Sequence, residues 1–195
     1  KNTFIQLRII AGKYKGRKLS AFSKGDTSAN LRPTADRVRE SLFNILANGG
    51  FGEGFEGGRV LDLFAGTGAL GIEAFSRGVK TVWMIDSGRK ASRLINKNLS
   101  LLDNPEGIVF KNFNACNLPL LRQEPFNLIF LDPPYGKNLG RYALKSASQN
   151  SWIAPNALIV WEENSPMNFP LDFVTLDRRQ FGDTFVTFMR APALF

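Results

Sequence analysis

From Arg59 onward the chain alternates short apolar runs with longer amphipathic ones, and that alternation leaves few folds open. Arg59–Leu63 reads as a strand, Ala69–Arg77 as a helix and Thr81–Ile85 as a strand. Arg89–Leu102 is a helix with Ala91, Leu94, Ile95, Asn98 and Leu102 on one side. Ile108–Phe110, Asn127–Leu131 and Ala157–Trp161 are further strands, with a helix over 138–150. Asn127–Leu131 has almost no polar position, as in a strand buried on both faces. The end differs: Phe173–Leu176 and Thr184–Phe188 alternate around Arg179–Asp183 and predict an antiparallel hairpin. Repeated β-α units imply a parallel, doubly wound sheet with ligands at the carboxyl ends of its strands.

Upstream, Arg8–Ala11 and Arg17–Leu19 flank Gly12-Lys-Tyr-Lys-Gly16 and predict a hairpin whose tip is cationic with one aromatic. Pro33-Thr34 opens a helix, with Thr34 as candidate N-cap and Val38, Leu42, Ile45 and Leu46 at helical spacing. A glycine-rich stretch over 49–58 reads as a linker. The expected division is a basic N-terminal hairpin and helix over 1–48 and an α/β domain over 49–195.

The net charge is +8. Residues 1–40 carry ten Lys and Arg against three acids, and the other 155 residues carry fifteen against fourteen. A surface for a phosphate backbone is expected on that first segment, with Lys13, Lys15, Arg17, Lys18, Arg32 and Arg37 as RNA-contacting candidates. The sequence has no histidine and one cysteine, Cys116. This removes Ser-His and Cys-His nucleophile systems, histidine metal sites and an internal disulfide framework. Cys116, without a histidine partner, reads as a small packing residue. No run reaches the roughly 18 apolar residues of a membrane helix. No secretory pattern opens the sequence, and the expected location is cytoplasmic.

Two motifs carry chemistry. Asp62-Leu-Phe-Ala-Gly-Thr-Gly-Ala-Leu-Gly71 places G-x-G-x-x-G directly after a strand and at a helix start. Glycines there let the backbone turn tightly and approach a ligand. Asp86 lies twenty residues past Gly66, at the end of the next strand, where a carboxylate can accept from both ribose hydroxyls. These features suit an adenine dinucleotide as well as S-adenosylmethionine. Asp132-Pro133-Pro134-Tyr135 follows the buried strand. Pro-Pro stiffens the backbone and supplies carbonyls without amide donors. The Asp132 carboxylate and the Pro133 carbonyl can therefore hold a planar NH2 and direct its lone pair at an electrophile. Tyr135 offers a face for stacking a base, a role that needs its ring and not its hydroxyl.

The glycine loop, the acid after the second strand and D-P-P-Y together resemble the class I, Rossmann-like amino-methyltransferases, with a seven-stranded, mostly parallel sheet. Arg8-Ile-Ile-Ala-Gly-Lys-Tyr-Lys-Gly-Arg-Lys-Leu19 and Leu31-Arg-Pro-Thr-Ala-Asp-Arg-Val-Arg-Glu-Ser-Leu-Phe-Asn-Ile-Leu46 are similar to the RsmD family. Its members methylate guanine N2 in bacterial small-subunit (16S) ribosomal RNA. The resemblance runs from about Arg8 into the C-terminal hairpin. It implies S-adenosyl-L-methionine as cofactor, held by Asp62, Ala65, Gly66, Gly68, Asp86, Asn114 and Ala115, with Asp132, Pro133, Pro134 and Tyr135 catalytic. It also implies 16S ribosomal RNA as partner, within the assembled or assembling small subunit, and neither metal nor membrane. Where the family pattern has an acid facing the adenine, this chain has Asn114, whose amide oxygen can still accept. Arg32, Thr34 and Arg37 are candidates for a lid or for phosphate contacts, and Phe181 and Asp183 for the pocket's flank. The rivals are an adenine-N6 methyltransferase, a non-catalytic RNA-binding assembly factor with this fold, and a nicotinamide-dependent oxidoreductase.

Overall fold

The computed structural model describes residues 7–22, 36–48, 50–51, 57–165 and 172–193. A two-stranded piece, β1 (Leu7–Arg8) and β2 (Lys18–Leu19), precedes helix α1 (Asp36–Asn48). Then follow β3 (Arg59–Leu63), α2 (Ala69–Ser76), β4 (Thr81–Ile85), α3 (Arg89–Ser100) and β5 (Ile108–Lys111). After a single 3-10 turn at Ala115–Asn117 come β6 (Phe126–Leu131), α4 (Leu139–Gln149), β7 (Ile153–Glu163), β8 (Val174–Phe181) and β9 (Thr184–Arg190). Seven strands form one sheet in the order β5-β4-β3-β6-β7-β9-β8. β3 to β7 are mutually parallel, while β9 runs antiparallel to β7 and β8. This is the doubly wound class I methyltransferase architecture, with its reversal at the C-terminal hairpin.

Side-chain alternation divides the core between the two sheet faces. One buried cluster joins Val60, Val82, Phe130 and Val160 to α1, α2, α3 and the N-terminal hairpin. The other joins Leu61, Ile129, Leu131 and Trp161 to α4. β6 is buried at every position except Asn127, as a central strand covered on both faces must be. α4 lies so close to β7 that a Cβ at Gly140 would stand 2.3 Å from the Trp161 ring.

The N-terminal hairpin is more deeply embedded than its charge suggests. Leu7, Ile9, Tyr14 and Leu19 are all buried in the same cluster as the sheet. Its ladder is shorter than expected because the amides of Ile10 and Ala11 donate to the Glu73 carboxylate, at 2.8 and 3.0 Å, and not to a partner strand. Tyr14 does not stand out from the tip. It is 7% exposed and stacks on Phe75, and its amide donates to Ser76 Oγ. Gly12 has φ +81°, and a Cβ there would fall 1.8 Å from the Ser76 carbonyl oxygen, so only glycine lets the loop seat on the end of α2. The C-terminal hairpin also differs from expectation: β8 runs through Phe181, and only Gly182-Asp183 turns. β7 starts earlier, at Ile153, across an irregularity in its pairing with β6.

Candidate active site

Parallel register builds the site. Ile85, Leu63, Leu131 and Trp161 pair across β4, β3, β6 and β7. The next residue on each strand therefore lies in one row along the carboxyl edge: Asp86, Phe64, Asp132 and Glu162. At roughly 5 Å per strand, Asp86 and Asp132 sit about 10 Å apart on either side of the glycine loop. The Asp132 amide donates to the Leu63 carbonyl at 3.4 Å, tying the D-P-P-Y turn to the start of that loop.

The loop itself is sharply curved. Phe64, Gly66 and Gly68 all have positive φ, at 61°, 59° and 79°. A phenylalanine in this conformation is strained, as backbone at ligand sites often is. Gly68 starts α2, and its missing Cβ would point at Met84 Sδ, 2.9 Å away. Its positive φ, with that close approach, favours glycine there whatever the backbone binds. Asp62, fully buried on β3, accepts from the Gly71 amide at 2.9 Å and braces the first turn of α2. Burial raises its pKa to about 7, against the lowering effect of that bond. Asp86 accepts from Gly66 at 2.9 Å and from Gly88 at 2.7 Å, and burial raises its pKa. Ala65 is buried and donates to Ile85, closing the turn.

The amide of Asn114 is used otherwise than expected. Its Oδ1 caps the 3-10 turn by accepting from Cys116 N at 2.9 Å, while Ala115 is buried beside it. Contact with an adenine amine would therefore have to share that oxygen. Cys116 is partly exposed, contacts the Leu139 carbonyl through Sγ and packs against the second core cluster, and burial raises its thiol pKa.

At the other end of the row, Pro133 is buried and Asp132, Pro134 and Tyr135 are partly exposed. The Tyr135 hydroxyl donates to Glu162 Oε1 at 3.0 Å and lies 3.4 Å from Thr184 Oγ1. Burial, followed by the Glu162 charge, raises the phenol pKa and keeps it protonated. The hydroxyl, dispensable for stacking, thus fixes where the ring stands. Glu162 is a site residue that sequence reasoning misses. The available signal is its position: it follows Trp161 as Asp132 follows Leu131.

Of the basic candidates, Lys13, Lys15, Arg17, Lys18 and Arg37 are exposed. Lys13 and Arg17 both lie over the Tyr14 ring, and Arg17 also reaches the Leu101 carbonyl and Asp103. Arg39, counted in the basic segment, is fully buried and pairs with Asp36 and Glu73, so it offers nothing to RNA. Arg32 and Thr34 lie outside the described residues. Phe181 is partly buried against the first core cluster, and Asp183 is exposed in the β8–β9 turn. Among the described residues no group of His, Cys, Asp and Glu could hold a metal, and no helix is long and apolar enough to cross a membrane.

A family model described as Conserved hypothetical protein 95, which represents the RsmD family, matches residues 7–190. The chain belongs to the RsmD family. It is 38% identical over 165 residues to ribosomal RNA small subunit methyltransferase D of Escherichia coli K12, covering 85% of this chain and 78% of that one. Against the protein of that name from Haemophilus influenzae it is 36% identical over 185 residues, covering 91% and 90%. Among solved structures, a candidate methyltransferase of E. coli, yhhF, superposes with a TM-score of 0.78 at 33% identity, covering 96% of this chain and 99% of that one. The same edge of the sheet that gathers Asp86, Asp132 and Glu162 thus belongs to a family whose named members methylate ribosomal RNA.

Proposed function

We propose that this chain transfers a methyl group from S-adenosyl-L-methionine to the N2 amine of a guanine in small-subunit (16S) ribosomal RNA. The observation that carries this reading is the Asp132 amide bonded to the end of β3, which sets an amine-holding turn beside a nucleoside-binding loop. The loop suits the cofactor: positive φ at every second residue from Phe64 to Gly68 bends it, and Asp86 is braced on Gly66 at its rim. Ala65, Gly66, Asp86, Asn114 and Ala115 would line the cofactor, with Asp62 and Gly68 supporting the loop. When bound, the cofactor supplies an electrophilic sulfonium methyl, so no metal is needed.

The chain's own residues then position the nucleophile. The Asp132 carboxylate and the Pro133 carbonyl accept from the two amine hydrogens, and Pro134 stiffens the turn. The Tyr135 ring, anchored by Glu162, stacks on the flipped base. Positioning of this kind accounts for most of the rate when the electrophile is already activated. Guanine fits better than adenine because its edge donates from both N1–H and the amine, while the Asp132 carboxylate and the backbone carbonyls that follow Leu131 supply acceptors. Adenine would set its N1 acceptor against them, at a cost of about 1–3 kcal/mol. Residues 1–48 would contact the RNA through Lys13, Lys15, Arg17, Lys18, Arg32 and Arg37. An assembled or assembling subunit is the favoured substrate, which would put the protein in the cytoplasm. The test compares small-subunit RNA from cells with and without the gene by nucleoside mass spectrometry. One N2-methylguanosine should disappear; an unchanged nucleoside profile contradicts the proposal.

A further inference from the structure

A cavity of about 580 Å³ lies along α4 and is lined by none of the residues of the carboxyl-edge row. Asn138, Arg141, Tyr142 and Lys145 line it from α4 and its N-cap, with Asp172 and Phe173 at its far wall. Such a volume suits a ligand of nucleotide size. Tyr142 is 58% exposed, a large aromatic left open to solvent. Arg141 and Lys145 are exposed one helical turn apart. Like charges at that spacing destabilise a helix by a few tenths of a kcal/mol. Residues 136–150 contain Lys137, Arg141 and Lys145 and no acid, and the one acid that lines the cavity is Asp172. Among the described residues, neither Arg141 nor Lys145 takes part in an ion pair. Averaging charge over the 155 residues after 40 hides this local cluster.

Position gives the cluster meaning. Asn138, at the N-cap position of α4, is three residues beyond Tyr135, so the cavity begins where the D-P-P-Y turn ends. α4 covers the sheet face opposite to α1, α2, α3 and the N-terminal hairpin. We infer that this cavity binds single-stranded RNA flanking the target base, with phosphates on Arg141 and Lys145 and a neighbouring base stacked on Tyr142. The RNA would then be held on both sides of the catalytic edge, by the N-terminal cations on one face and by α4 on the other. Cations that follow the backbone beside an exposed aromatic are the general means of holding single strands. The inference rests on the ribosomal RNA reading and adds a surface to it.

The test uses the full chain with undermethylated small subunits. Arg141→Gln with Lys145→Gln should reduce the log–log salt slope of binding by about 0.7–0.9 for each phosphate no longer neutralised. It should also raise the KM for the subunit, while S-adenosylmethionine affinity, measured by calorimetry, stays at the wild-type value. Tyr142→Ala should weaken subunit binding about tenfold, in the range of one base stack. These side chains are exposed, so the variants keep the core intact. Wild-type salt slope and KM in the double variant, together with wild-type affinity in Tyr142→Ala, would overturn the inference and leave the methylation reading standing. Wild-type protein that neither binds nor methylates small subunits would overturn both.

Discussion

Asp62 and Glu162 show how much a single carboxylate can do in this fold. Asp62 is held near pKa 7 when folded, against 3.8 as a free side chain. A raised acid is neutral in the folded chain and charged in the unfolded one between those two values. Its burial therefore costs nothing below about pH 4, and the cost grows as pH rises towards 7. At about 1.4 kcal/mol per pK unit, it reaches roughly 4 kcal/mol. Asp62→Asn should remove that part of the pH dependence, so the stability difference between variant and wild type should change between pH 4 and 7 in urea titrations. A constant difference would mean that Asp62 titrates normally. At Glu162, Tyr135→Phe removes a partly buried hydroxyl donor to the buried carboxylate, at a cost of about 1 kcal/mol, and frees the ring. Turnover should fall several-fold, and more so in Tyr135→Ala. Glu162→Gln, which keeps an acceptor, should stay closer to wild type than Glu162→Ala. Equal turnover in the two Glu162 variants would argue against anchoring. Asp62, Asp86 and Asp132 are legible in sequence because each ends or interrupts an apolar run beside a known turn chemistry. Glu162 is not, since only strand register reveals that it stands next to Asp132.

At the scale of elements, one buried acid on α2 gathers several of the polar links that join the N-terminal hairpin to the sheet domain. Glu73 accepts from Ile10 and Ala11, pairs with Arg77 at 2.7 Å and lies 3.8 Å from buried Arg39. Arg39 in turn bonds the Arg8 carbonyl and Asp36. Glu73→Ala leaves Arg39 buried with only Asp36 as counter-charge, and breaking a buried pair in this way costs about 3–5 kcal/mol. The expected result is a large loss of stability. Hydrogen exchange should accelerate at Ile10, Ala11 and Tyr14 before it does in β3 or β6. Uniform acceleration across the chain would mean that Glu73 supports the core and not the hairpin specifically. Gly12 and Gly16 announce a hairpin, and the lysines and arginines around them announce its charge. Nothing local shows that Tyr14 turns inward or that Glu73 takes the strand's amides, because both depend on side chains about sixty residues away in sequence.

Over the whole molecule, the alternating pattern from Arg59 onward suffices for the parallel sheet, and the alternation after Phe173 suffices for its antiparallel edge. What the pattern omits is the distribution of charge over the finished surface: Arg39 vanishes into the core, and Arg141 and Lys145 gather on α4. Neutralising Lys13, Lys15 and Lys18 should flatten the salt dependence of RNA binding by about 0.7–0.9 in log–log slope per phosphate released. An unaltered slope would take the hairpin off the RNA. The central claim is that the Asp132 turn presents a guanine amine to a cofactor held by the glycine loop. Its most direct test is to incubate undermethylated small subunits with methyl-labelled S-adenosylmethionine and either wild type or Asp132→Ala, and to identify the labelled nucleoside. The account predicts label in N2-methylguanosine with wild type, none with Asp132→Ala, and nearly equal cofactor affinity in the two. Label in N6-methyladenosine, or turnover by Asp132→Ala within a few-fold of wild type, would contradict it.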